Sequence, residues 1–275
     1  MLSQEEQRIV YQKAYVPEHL VQYVQAISGA EPYLHDGYLC FLKADHLIFI
    51  GYSLQDTAVE AEQAYDSACR FFQPATVAII APRLSLPQSA GEELTHDTYY
   101  RLTLPMRETK PHLAYMIRRA EREIRVGQGA FGPENVKLTE AFVAERQIIA
   151  SYEEIVSRIP YYMQRSPSAR VLEARRGDEL VAFNIVDLGS ASYLFHLFNF
   201  RATETYVPGA SDLLFFEMVK MAEAEGKSAV NLGLGINSGV RRFKEKWGGT
   251  PFLHYTTLQI RRKPVGLLST LRRLL

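Results

Sequence analysis

Residues 192–200, Ser-Tyr-Leu-Phe-His-Leu-Phe-Asn-Phe, are apolar at both alternating sets of positions. A strand of that kind needs cover on both faces, so it belongs in the middle of a sheet with helices above and below. The chain around it keeps to that plan. The turn Val207-Pro208-Gly209-Ala210-Ser211-Asp212 opens a strongly apolar helix to Glu225, and Gly226 ends it as a C′ glycine should. Residues 227–235 read as another buried strand, 238–246 as a short helix and 251–260 as a final strand. Upstream, 111–124 places Leu113, Met116, Ile117, Ala120 and Ile124 on one helical face. Thr139 is a fitting N-cap for a helix to about 157, and two strands joined at Gly177-Asp178 follow.

The first part of the chain shows a similar order. Helical patterns cover 4–14 and 17–28, and a hairpin turns at Ala44-Asp45. Asp56 is placed to cap a helix to about 72, along which Ala61, Ala64, Ala68 and Phe72 recur. A buried strand spans 76–82, a Pro-, Ser- and Gly-rich loop 82–91, and a further strand 97–105. Pro105 and Pro111 bracket a boundary. The expectation is an α+β fold with a mixed α/β sheet, built from two related halves, 1–108 and 109–275. The relation rests on element order, since no residue-level repeat is visible.

With 275 residues, 47% of them apolar, the chain can bury a real core. Its net charge of zero argues against a general nucleic-acid binder. The charge is unevenly placed, however. Residues 1–110 hold 8 Lys/Arg against 14 Asp/Glu, and 111–275 hold 23 against 17. A basic second half suits an anionic substrate or cofactor, and equally two domains that balance by chance. The two cysteines, Cys40 and Cys69, lack metal-site spacing and read as reduced, half-buried core residues. Nothing points to a metal. The start, MLSQEEQRIVYQ, is not of signal-peptide type, and no apolar run reaches membrane-spanning length, so a cytoplasmic location is expected.

Three segments carry candidate chemistry. Residues 127–132, Gly-Gln-Gly-Ala-Phe-Gly, match the spacing of the dinucleotide fingerprint. That fingerprint needs a helix starting inside it, whereas Pro133 follows and the next helix is expected near Thr139, so a loop is the reading. The turn at 207–212 follows a central strand and opens a helix, where free N–H groups either hold a pyrophosphate or are capped by Ser211 or Asp212. The densest stretch, 231–249, sets Asn231, Asn237 and Ser238 at a strand end, then Arg241, Arg242, Lys244 and Lys246 on a short helix, then Trp247. The basic residues read as a solvated face or an anion site, and Trp247 as a core anchor.

Phe243-Lys244-x-x-Trp247-Gly248, with the 207–235 segment before it, resembles the C-terminal part of the GNAT-related acyltransferases. The similarity is to the Fem-type aminoacyl and peptidyl transferases and to GNAT-like domains of bacterial proteins. Residues 115–123, Tyr-Met-Ile-Arg-Arg-Ala-Glu-Arg-Glu, resemble the arginine-rich opening helix of that branch, and the likeness covers about 110–260. It implies tandem GNAT-like halves, the first degenerate and the second fuller. It also implies an N-acyltransferase that moves an acyl or aminoacyl group from acetyl-CoA, another acyl-CoA or an aminoacyl-tRNA to an amine.

By position, Lys244 matches a lysine supporting the acyl intermediate, and Val207, Gly209, Ala210 and Ser211 match the pyrophosphate turn. Asn231, Asn237, Arg241 and Arg242 join them as donor-binding candidates. The turn lacks the usual Gln/Arg-x-x-Gly-x-Gly/Ala, which weakens the case for coenzyme A. Tyr206, His196 and Glu204 are candidates for proton transfer, with a satisfied core histidine as the competing reading of His196. A non-catalytic binding module remains the alternative.

The tail, 261–275, has five basic residues, no acidic ones and leucines at helical spacing. It suits tRNA or an anionic membrane surface, or a helix docked on the body. Deletion of 261–275 is expected to abolish co-sedimentation with anionic vesicles or retention of tRNA on a filter, and unchanged partitioning contradicts the surface role.

Overall fold

The computed structural model describes residues 1–56, 59–82, 94–106, 110–146 and 150–262; the tail from residue 263 lies outside the described residues. Two compact units are discontinuous in sequence. One comprises Met1–Glu6, Ala30–Asp97 and the segment from His254, the other Gln7–Gly29 and Thr98–Leu253. Helices α1 (Gln4–Lys13) and α2 (Val21–Ser28), with a 3-10 turn at Pro17–His19 between them, therefore fall largely in the second unit.

In the first unit, β1 (Glu31–His35), β2 (Tyr38–Lys43) and β3 (His46–Ile50) form an antiparallel meander. The β2–β3 turn places Ala44 at φ +53, in the left-handed region a two-residue hairpin requires. Helix α3 (Ala61–Phe72) crosses over to β4 (Thr76–Ala81), parallel to β3, and the last strand, β11 (Thr250–Arg261), lies antiparallel to β4. β4 is buried at alternate positions only, one face packing on α3. Helix α3 starts at Ala61 with Glu60 as N-cap, so the cap expected at Asp56 is not used; the amphipathic run sets the start. Cys40 and Cys69 are free thiols, fully rather than half buried, and burial pushes both thiol pKa values up.

The second unit uses β5 (Leu94–Thr103) from Thr98 onward, α4 (Pro111–Ala120), β6 (Arg125–Gly129), α5 (Pro133–Arg146), α6 (Ala150–Ser157) and α7 (Ile159–Arg165). It continues through β7 (Ala169–Arg176), β8 (Glu179–Asp187), β9 (Tyr193–Arg201), α8 (Ala210–Ala224), β10 (Ala229–Leu234) and α9 (Ser238–Lys246). Its strands run β5-β10-β9-β8-β7-β6, and β9 with β10 is the parallel pair. Side chains of α4 and α8 fill one face of this sheet, and those of α2, α5, α6 and α7 the other. The two-sided cover required by 192–200 is thus present, in an α+β fold with a mixed sheet.

The helix expected from Thr139 to 157 begins earlier, at Pro133, and residues 133–146 and 150–157 are helical. Proline suits the first helical position, where its missing N–H is no loss. Asn135 secures that start by accepting from the Gly132 N–H at 2.9 Å.

Helices α8 and α9 are pinned through one carboxylate. Asp212 accepts from the Trp247 indole N–H at 3.0 Å and from the Lys246 ammonium at 2.6 Å. It is not a cap: the N-cap of α8 is Gly209, and no side chain caps the helix. Trp247 is the core anchor expected, its ring tilted against that of Phe215 at a centroid distance of 4.7 Å. Asp212→Ala leaves a buried indole donor without a partner and is expected to cost about 2 kcal/mol in urea unfolding, while Asp212→Asn, which keeps an acceptor, is expected to cost less.

Candidate functional site

The parallel ladder between β9 and β10 covers three residue pairs and ends at Phe195 and Asn231. Beyond it the β10–β5 register shifts between Asn231 and Leu234, and Gly233 takes φ +73. Such an irregularity re-aims backbone groups, and here each of three has a partner. Asn231 Oδ1 accepts from the Gly233 N–H at 2.8 Å, and Thr98 O accepts from the Gly235 N–H at 3.0 Å. The Leu234 carbonyl accepts from the Lys244 ammonium in a short bond.

Lys244 is 6% exposed, unlike the solvated lysine its neighbours suggest. Its Nζ lies 5.8 Å above the ring of Tyr100. A Cβ added at Gly233 would sit 3.6 Å from the His196 carbonyl and 3.8 Å from Lys244 Nζ, so a glycine keeps this corner clear. His196 packs edge-on to Phe215 at 6.1 Å, and its Nε2 is enclosed without a hydrogen-bond partner. It is therefore not the satisfied core histidine that its flanking apolar residues suggest. Burial, reinforced by Lys244, pushes its pKa down to about 3, so the imidazole is neutral near pH 7.

The other predicted residues are placed differently. Arg241 and Arg242 are exposed on α9, Lys246 is tied to Asp212, and Lys244 is buried, so the four basic residues form no single face. Asn237 caps α9 by accepting from the Val240 N–H at 3.0 Å. Asn231 also donates to the Tyr15 carbonyl at 2.8 Å. Val207 and Ala210 are buried, and Ser211 Oγ donates to Asn199 Oδ1 at 3.4 Å. Gly209, at φ +86, lies so close to α4 that a Cβ would meet the Met116 carbonyl oxygen at 2.7 Å. Tyr206 is exposed beneath the Arg201 guanidinium, 5.1 Å from its ring, and Glu204 is exposed. The structure brings Lys244 and His196 together and leaves Tyr206 and Glu204 at the surface.

The Gly-Gln-Gly-Ala-Phe-Gly segment is strand, turn and helix start rather than a simple loop. Its first glycines lie in an antiparallel strand at one end of the unit's strand order, not in a parallel unit feeding a helix dipole. Gly129 leaves room for the Glu173 carboxylate, which accepts from Asn135 Nδ2 at 3.1 Å and Arg175 Nε at 2.9 Å. A cavity of about 880 Å³ adjoins the segment, lined by Phe131, Lys137, Met163 and Arg170 among others.

No protein-family profile and no curated protein matches the sequence. Solved structures do. FemX is 10% identical, with 100% of this chain and 98% of that one covered at a TM-score of 0.61. L-PGS from Bacillus licheniformis is 15% identical, with 99% and 96% covered at 0.58. A tandem GNAT protein from the clavulanic acid biosynthesis pathway is 13% identical, with 83% and 79% covered at 0.54. The chain carries a GNAT-type fold. Within that fold the corner at β9, β10 and α9 is where Lys244 and His196 meet. No group of three or more potential metal ligands occurs among the described residues, and no described helix is long and apolar enough to cross a membrane.

The depressed pKa of His196 has a consequence for stability. Below its ordinary value near 6.5, the unfolded chain binds a proton that the folded chain refuses. Stability should fall as pH drops from about 6.5 towards 3, and His196→Phe should flatten that part of the curve in urea titrations. Lys244→Met should raise the His196 pKa in NMR titration by removing a neighbouring positive charge.

Proposed function

We propose that the chain transfers an acyl or aminoacyl group from an activated ester or thioester to an amine, with Lys244 steadying the oxyanion. The supporting observation is the buried Lys244 ammonium, oriented by the Leu234 carbonyl beside a neutral imidazole where two parallel strands part. A positive group fixed in a poorly solvated corner stabilises developing negative charge without reorganising. His196 Nε2, enclosed and unpartnered, is suited to a polar group of the donor. The first half is read as the degenerate member of a tandem pair.

Aminoacyl-tRNA is favoured over coenzyme A as donor. The turn at 207–211 lacks the glycine pattern of a pyrophosphate loop. That departure also favours the second reading, a binding module without turnover. Arg241 and Arg242, exposed on α9, are available to donor phosphates.

Thermal-shift titration with acetyl-CoA, longer acyl-CoAs and free coenzyme A, followed by transfer assays with bulk aminoacyl-tRNA, tests the reading. A ligand at 100 times its dissociation constant stabilises by about 2.7 kcal/mol. Lys244→Ala is expected to lower transfer about 10²–10³-fold, the scale of losing one oxyanion donor. Binding without transfer by the unaltered protein would select the module reading.

A further inference from the structure

The parting of β9 and β10 has two faces. Strand side chains alternate, so neighbouring residues point to opposite sides. Leu194 joins the α4/α8 core, and His196 packs on Phe215 of α8; Phe195, with Tyr193 and Leu197, packs instead with Ala14 and Leu20 of the N-terminal segment. On β5, Tyr100 and Leu102 join the α8 side, which turns Tyr99 and Arg101 to the other. Lys244 and His196 therefore approach the parting from the α8 side, and residues 14–20 cover it from the opposite one.

That covering segment is pinned at the parting itself. The Tyr15 carbonyl accepts from Asn231 Nδ2 at 2.8 Å, the Ala14 carbonyl accepts from Ser190 Oγ at 2.7 Å, and Glu18 Oε2 accepts from the Tyr99 hydroxyl at 2.6 Å. Tyr99 is the register partner of Leu234, whose carbonyl holds Lys244. Gly233, between Asn231 and Leu234, puts no side chain on the Lys244 side of the parting. Among the described residues no cation pairs with Glu18, so its carboxylate is positioned by a hydroxyl rather than neutralised. Burial holds its pKa above the ordinary glutamate value, in the direction that suits a base working near neutrality.

We propose that Glu18, held by Tyr99 on the face opposite Lys244 and His196, takes the proton from the acceptor amine. This rests on the transferase reading. The amine nitrogen attacks the carbonyl carbon and the C–N bond forms. The ester C–O bond, or thioester C–S bond, breaks with its electron pair leaving on oxygen or sulfur. The surplus proton on nitrogen passes to the Glu18 carboxylate and then to solvent, while the leaving group is protonated from solvent. Donor and acceptor thus meet from opposite sides of the sheet, which explains why an N-terminal segment is built into the second unit.

The test compares two nucleophiles in the full chain, with bulk aminoacyl-tRNA as donor and acetyl-CoA in parallel. Methylamine is protonated at neutral pH and needs a base; hydroxylamine is largely unprotonated and does not. Glu18→Gln is expected to lower transfer to methylamine about 10²–10⁴-fold, while transfer to hydroxylamine stays within a few-fold. Tyr99→Phe, which keeps the carboxyl, is expected to give the same split at smaller size and serves if Glu18→Gln unfolds. Equal loss with both nucleophiles, or no loss with either, overturns the role of Glu18 and leaves the transferase reading standing. An unaltered protein that transfers to neither overturns both.

Discussion

A parallel ladder that stops inside a covered sheet leaves half-buried backbone groups that need new partners, and this need governs the second unit. After Phe195 and Asn231, the groups of residues 233–235 have lost their strand partner. Each of three is satisfied from elsewhere: the Gly233 N–H by Asn231, the Leu234 carbonyl by Lys244, and the Gly235 N–H by Thr98. The same bonds that make the parting tolerable also deliver the chemistry. Lys244 is held inward because a carbonyl needs it, and Asn231 ties the N-terminal segment to the sheet while serving Gly233.

The pin between α8 and α9 follows a related logic. A buried indole N–H and a half-exposed ammonium converge on Asp212, so the helix that carries Lys244 is fixed against the helix that follows β9. Phe215 links the two, touching both Trp247 and His196. A change at Asp212 therefore bears on the site through the placement of α9.

Much of this was legible in the sequence. Two-sided apolarity at 192–200 called for a covered central strand, the Gly226 signal marked the end of α8, and α9 occupies the residues its pattern indicated. The misreadings share a cause. Asp56, Asp212 and Thr139 suit local capping roles by their place in the sequence, yet Asp212 bonds to a side chain 35 positions away and Thr139 lies inside α5. His196 reads from its neighbours as either a proton-transfer group or a satisfied core residue, and nothing along the chain reveals that its Nε2 has no partner. Glu18 carried no signal at all, since its partner Tyr99 is 81 residues distant.

By itself the sequence determined the class of fold, the covered central strand and the helix bearing Lys244, because periodicity and turn chemistry are local properties. Only the tertiary structure decided what those residues face. It buried Lys244 against Leu234, enclosed the imidazole of His196, left Tyr206 in solvent and brought Glu18 to Tyr99. Burial and hydrogen-bond partnership depend on contacts between segments far apart in the chain, and no spacing along it encodes them.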